Sequence, residues 1–196
     1  VECGDISHFQ GGSTVGCVVS FLDAKPEKSR YRRFKLSQEG KPDDFASMHE
    51  MIGRHFSRGA EENTLCDLMI IDGGPQQLAM ALAQRKALSL TRPVLVGLAK
   101  ERRIRGHFRG NIEPPAKKPE RIYLEDRAAP IVLRPGTVAF NFLTRVRDEA
   151  HRFAITFHRE SRMKRTFTSR LDTIPGIGTE RRKELLRRFG SVAAML

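Results

Sequence analysis

The sequence predicts an α/β fold, a mixed sheet with helices on its faces, followed by a small all-α unit. Three observations carry this. The first 36 residues hold three β-rich segments. Two continuous apolar runs, Leu68 to Ile71 and Pro93 to Leu98, then alternate with helical patterns, as strands covered on both faces do. Near the end, a glycine-rich break separates a long amphipathic helix from a short basic one.

Each element has its own signal. Val1 to Ser7 and Thr14 to Leu22 read as strands around the turn signal Gln10-Gly11-Gly12-Ser13. Arg30 to Leu36 is the third strand, with Tyr31, Arg33 and Lys35 alternating against Arg32, Phe34 and Leu36. Pro42-Asp43-Asp44 opens a helix whose Phe45, Met48, Met51, Ile52 and Phe56 follow three-and-four spacing. The run from Leu68 ends in Asp72-Gly73-Gly74-Pro75, and Pro75 suits the first turn of a helix carrying Leu78, Ala79, Leu82 and Ala83. Pro114, Pro115 and Pro119 break the pattern between Lys100 and Arg134, and two short strands, Arg121 to Leu124 and Ala129 to Leu133, follow. A long helix then runs from Val138 to Arg162, with Ala139, Leu143, Val146, Ala150, Phe153, Ala154 and Phe157 as its apolar stripe. Residues 1–165 form one domain and 171–196 a separate small one. The order of elements matches an RNase H-like core.

The totals narrow the partners. A chain of 196 residues holds one sizeable domain and a small appendage. The net charge of +12 favours a polyanion or an anionic membrane surface. From Arg145 to Arg188 there are thirteen Lys/Arg against six Asp/Glu, so the surplus is concentrated there. No apolar run nears the roughly 18 to 20 residues that span a bilayer, and no signal-peptide pattern opens the chain. A cytoplasmic protein with a nucleic-acid partner and no membrane is expected. Cys3, Cys17 and Cys66 are widely spaced and flanked by apolar residues, as buried thiols in a reduced compartment are. The chain starts in a strand pattern and stops at Met195-Leu196 in a helical one. It is expected to be a piece of a longer protein, monomeric as such.

The richest stretch is 147–159, where Asp148, Glu149 and His151 sit among arginines in the long helix. Two aspartates elsewhere share its chemistry. Asp5 lies on the same side of its strand as Val1 and Cys3, where a carboxylate is costly unless a cation or hydrogen bonds compensate; the alternative is a cap on the Gln10 turn. Asp72 ends a buried strand, where ligands gather in open α/β sheets; the alternative is a cap on the helix at Pro75. His151 stands about 100° from Ala150, at the boundary of the buried face. If the three converge, their oxygens suit Mg²⁺ or Mn²⁺, and the imidazole tilts the choice toward Mn²⁺. Such ions activate water in phosphodiester hydrolysis.

Ile174-Pro175-Gly176-Ile177-Gly178, followed by the basic helix Glu180 to Phe189, looks like a helix-hairpin-helix motif, the first of a pair. Its glycines expose backbone N–H groups to phosphate, and Arg181, Arg182 and Lys183 add salt-dependent attraction.

Several motifs now stand in one order: Val1 to His8, Tyr31-Arg32-Arg33-Phe34, Asp43 to Met48, Leu68 to Gly74, Gly97-Leu98-Ala99-Lys100 and Arg147 to Arg159. In that order they resemble the C-terminal half of the UvrC family, the incision subunits of bacterial nucleotide excision repair, over nearly the whole chain. The resemblance implies an RNase H-like endonuclease followed by helix-hairpin-helix DNA binding. It implies a 5′ cut beside a lesion in damaged double-stranded DNA, in a complex with UvrB and with UvrA upstream. It implies an Asp-Asp-His triad using Mg²⁺ or Mn²⁺, at Asp5, Asp72 and His151, with Asp44 as a supporting residue or helix cap. Lys100 and Arg147 join the hairpin residues as expected DNA contacts, and Asp148 and Glu149 fall to supporting or salt-bridge roles. Two departures stand out: Pro75-Gln76 replaces a common Lys-Gly, and Gly4 replaces a common Phe. The competing readings are a non-catalytic, structure-selective DNA-binding module and a basic scaffold that recruits proteins.

Overall fold

A computed structural model of the chain describes residues 1–8, 14–37, 43–100, 120–172 and 176–189, with backbone only at 8, 100, 157–172, 179, 182, 183 and 186. The Gln10 turn, the 101–118 loop and Ile174-Pro175 lie outside these residues. The chain divides into two compact units, Val1–Ala154 and Ile155–Leu196. The sequence placed that boundary between 165 and 171; it falls inside the long helix, whose last buried residue among those described is Ala154.

The first unit is built on an eight-stranded sheet: β1 (Glu2–His8), β2 (Thr14–Leu22), β3 (Lys25–Pro26), β4 (Arg32–Leu36), β5 (Leu68–Asp72), β6 (Val94–Lys100), β7 (Glu120–Leu124) and β8 (Arg127–Leu133). Its order is β3-β2-β1-β5-β6-β7-β8, with β4 also pairing β2. Central β1, β5 and β6 are parallel, and the outer pairings are antiparallel. This is the mixed sheet the sequence predicts, save that β3 is too short to leave a periodic signal.

Helices α1 (Asp44–Glu61) and α2 (Pro75–Ala87) cover one face, and the part of α3 (Val138–Asp172) up to Ala154 covers the other. On the first face Met48, Met51, Ile52 and Phe56 of α1 pack with Met69, Ile71 and Leu78; Phe45, expected in this stripe, is 38% exposed. Gly4 explains itself here. A Cβ at Gly4 would stand 2.9 Å from Met51 Cε, and one at Gly16 2.5 Å from Met51 Sδ. Met51 lies in a slot that two glycines on neighbouring strands leave open, so a side chain at position 4 would require the Met51 end to move. On the second face Val146 and Ala150 of α3 pack with Cys3, Val19, Ile70 and Leu98. Phe140 is buried there in place of Ala139, which is exposed.

The second unit contains α4 (Thr179–Phe189). The described residues do not establish a helix-hairpin-helix there. Among the described residues no helix is long and apolar enough to cross a membrane.

Candidate active site

Neighbouring parallel strands bring the two aspartates together. Cys3 of β1 is aligned with Ile70 of β5 and Gly4 with Ile71, and one more step aligns Asp5 with Asp72. Alternation points both toward the face that α3 covers, the face of Cys3 and Ile70. Asp5 is 6% exposed and Asp72 is half-buried. From above, α3 brings His151 to Asp5, with Nδ1 3.5 Å from Oδ2. That is at the outer limit of a hydrogen bond. Asp5 Oδ2 is buried and has no hydrogen-bond partner among the described residues.

Burial, then the charge of Asp72, pushes the Asp5 carboxyl up from 3.8 to about 6, while His151 pulls the other way. A buried carboxylate oxygen without a donor, beside a second carboxylate, is unfavourable by itself. A cation held there would relieve both costs, and two carboxylates with one imidazole are donor types that suit Mg²⁺ or Mn²⁺. Among the described residues no three His, Cys, Asp or Glu side chains are gathered into a finished metal cage. Asp5 and His151 meet, and Asp72 acts on Asp5 from the next strand by charge.

The turn of α3 that carries His151 is tied on three sides. Beneath it, Cys17, aligned with Asp5 across β1 and β2, donates its thiol to the Ala150 carbonyl at 3.3 Å. Burial pushes that thiol well up and keeps it protonated. On the β4 side, Tyr31 donates to Glu149 Oε1 at 3.0 Å and packs edge-on against Phe153, with ring centroids 5.0 Å apart. Arg152 holds both oxygens of Glu149 at 2.6 Å, and the Arg33 guanidinium lies 4.4 Å over the Phe153 ring. On the β7 side, Arg147 Nη1 stands 2.6 Å from Glu120 Oε2, an ion pair by distance whose N–H is not aimed at that oxygen.

These ties decide several expectations. Arg147 is 6% exposed and paired with Glu120, so it anchors the helix and leaves the set of phosphate contacts. Asp148 pairs with Arg147 and Glu149 with Arg152. The cap of α1 is Asp43, whose Oδ1 accepts from the Phe45 and Ala46 N–H groups. Asp44 is the exposed first residue of that helix, which packs on the opposite face. The N-cap of α2 is Gly74, whose N–H donates to Gln77 Oε1 at 3.1 Å, two residues beyond Asp72. Gly176 has φ +88 and accepts from Arg181 Nη1 at 3.0 Å; Ile177 is half-buried and Gly178 exposed. The side chains of Lys100, Arg182 and Lys183 lie outside the described residues. Cys17, Tyr31 and Glu120 carried no sequence signal of their own; strand register alone brings them to α3.

Residues 1–155 match the UvrC RNase H endonuclease domain family, a span ending where the first compact unit ends. The chain is 42% identical over 229 residues to UvrABC system protein C of Anaeromyxobacter dehalogenans strain 2CP-1, covering 98% of this chain and 32% of that protein. It is 43% identical over 201 residues to UvrABC system protein C of Gloeobacter violaceus, covering 100% and 29%. The chain thus spans about a third of the length of the curated relatives it matches. A Ciona intestinalis endonuclease V in complex with inosine-containing DNA overlaps it with a TM-score of 0.39 at 13% identity, over 51% of this chain and 45% of that one. The chain belongs to the UvrC RNase H endonuclease domain family.

Proposed function

We propose that this chain is a divalent-metal-dependent DNA endonuclease that makes the 5′ incision beside a lesion in bacterial nucleotide excision repair. The observation that supports it best is the buried, partnerless oxygen of Asp5, set beside Asp72 and facing His151. Asp5, Asp72 and His151 would hold Mg²⁺ or Mn²⁺. When bound, such an ion activates the attacking water and stabilises charge on the leaving oxygen. The chain's own residues do the rest. Asp5 fixes the site from inside the sheet, where burial excludes competing water. Asp72 places the second carboxylate at a strand end open to substrate. His151, with 62% of its side chain exposed, stands where the DNA phosphate enters. The rigid α3 turn keeps its ring against Asp5.

DNA is held by phosphate contacts from the exposed backbone at Gly176 and Gly178 and from the basic residues of α4, in the manner of a helix-hairpin-helix. The partners are damaged duplex DNA and UvrB on that DNA, with UvrA acting earlier.

The test is incision of lesion-bearing duplex in the assembled repair complex, with Mg²⁺ or Mn²⁺. Asp72→Ala is expected to abolish the 5′ cut while the chain still folds and binds DNA. Full 5′ cutting by a folded Asp72→Ala chain would sink the proposal. Binding without any metal-dependent cutting by the native complex would favour the non-catalytic reading instead.

A further inference from the structure

We propose that an arginine-rimmed hollow between β4 and the C-terminal half of α1, on the face of the sheet away from His151, holds a backbone phosphate of the bound DNA. The inference rests on the chain being a DNA-binding nuclease, but not on where or how it cuts.

The hollow has a volume of about 170 Å³. Its floor is a satisfied buried acid: Glu2 is 3% exposed, with His55 Nε2 2.7 Å from Oε2 and Arg30 Nη2 3.5 Å from Oε1. Arg30, Arg32, Arg54 and Arg58 come to its rim from three separate segments. Three of them are fixed through backbone carbonyls, which hold a guanidinium without cancelling its charge. Arg30 donates to the Thr64 carbonyl at 2.7 Å, Arg32 to those of Ser29 and Tyr31 at 2.9 Å, and Arg54 to that of Lys35 at 3.0 Å. Two carboxylates offset part of the charge, Glu62 on the rim at 2.7 Å from Arg58 and Glu50, outside the lining, at 3.2 Å from Arg54. The Arg58–Glu62 pair is solvent-exposed, where such pairing is weak and screened by salt, while Glu50 is half-buried.

A guanidinium offers five donors in a planar fork that matches two phosphate oxygens. Forks already fixed by carbonyl bonds lose little entropy on binding, and a concave wall with more guanidinium than carboxylate groups focuses a positive potential. An ordinary solvated basic face has neither the concavity nor the carbonyl anchors. The occupant is taken to be DNA, and not a free phosphate or an acidic peptide, because the rim is open and the whole chain carries +12.

The experiment uses the full 196-residue chain, labelled duplex DNA and EDTA, so that cutting plays no part. Arg54→Gln with Arg58→Gln is expected to weaken binding and to reduce the slope of log affinity against log salt by about 1 to 2, near 0.9 per lost phosphate contact. Arg54→Lys with Arg58→Lys should restore the slope, and thermal melting checks that both variants fold. The control is Arg127→Gln with Arg134→Gln, which removes the same charge from exposed positions elsewhere. An unchanged slope in the first variant, or an equal fall in the control, overturns the proposal. In the native chain, His55 ring resonances should shift on adding duplex. A shift with inorganic phosphate or poly-glutamate but none with duplex overturns the DNA assignment. Should Asp72→Ala still cut while the salt slopes behave as stated, the cleavage reading fails and the hollow stands.

Discussion

Glu2 and Asp5 are both buried acids on β1, three residues apart and on opposite faces of the sheet. Burial works against the charge of Glu2, yet the hydrogen bond and charge of His55, aided by Cys66 and Arg30, hold its carboxyl below the ordinary value of 4.5. Burial works against Asp5 too, but its nearest charged neighbour on the sheet is another carboxylate, and its pKa rises to about 6. One acid has been given all its partners by the chain. The other has been given a rival, and its buried Oδ2 has only the His151 ring, 3.5 Å away. Burial alone therefore does not mark a reactive carboxylate; burial without satisfaction does.

The sharpest way to break this comparison is to remove the charge from each acid in turn. Asp5→Asn is expected to slow cutting by roughly 10³-fold or more, the several kcal/mol that a correctly held metal ion supplies. The same change should stabilise the metal-free fold by roughly 1–2 kcal/mol near pH 8, because a buried carboxylate need no longer ionise. Single-turnover rates and thermal melts check the two halves. His151→Ala should cost about 10²-fold in rate, with the affinity for Mn²⁺ falling alongside it in a calorimetric titration. Glu2→Gln reverses the pattern: cutting unchanged at saturating metal and saturating DNA, stability lower by about 1–3 kcal/mol at pH 7.

The Glu2 carboxyl also sets a pH dependence. Its folded value is lowered, so its contribution is present above the unfolded value of 4.5 and is lost as pH falls through the folded value. Denaturant melts between pH 3 and 6 should show the native chain and Glu2→Gln converging at the acid end. The smallest effect expected is that of Cys17→Ala. Losing one thiol bond to Ala150 should reduce cutting within about tenfold, as loss of an outer partner of a metal ligand does. A larger loss would mean that Cys17 does more than hold the helix.

What could be read from the sequence, and what could not, follows the range of the interactions. Asp5 was legible because strand alternation put it on an apolar face, and Asp72 because it closed a continuous apolar run. His151 was legible as a boundary position only, one residue from Ala150. The burial of Arg147 was not, because its partner Glu120 lies 27 positions away behind a proline-rich stretch, and an arginine among arginines reads as surface. The slot filled by Met51 was equally hidden, since it exists only once Gly4 and Gly16 lie on neighbouring strands. The Glu2 cluster was missed because a glutamate next to the chain start looks exposed until Arg30, His55 and Cys66 close around it.

The meeting of His151 with Asp5 also has a kinetic consequence. The two residues are 146 positions apart, so their contact closes one of the longest loops in the first unit. Contacts of that range form late, after local helices and hairpins. A nascent or misfolded chain can pair β1 with β2 long before it seats α3. Until that helix docks, His151 is absent from Asp5, so a folding chain would hold only part of the proposed site. Under the proposed mechanism, placing His151 on a late-docking helix would make cutting wait for folding of the first unit.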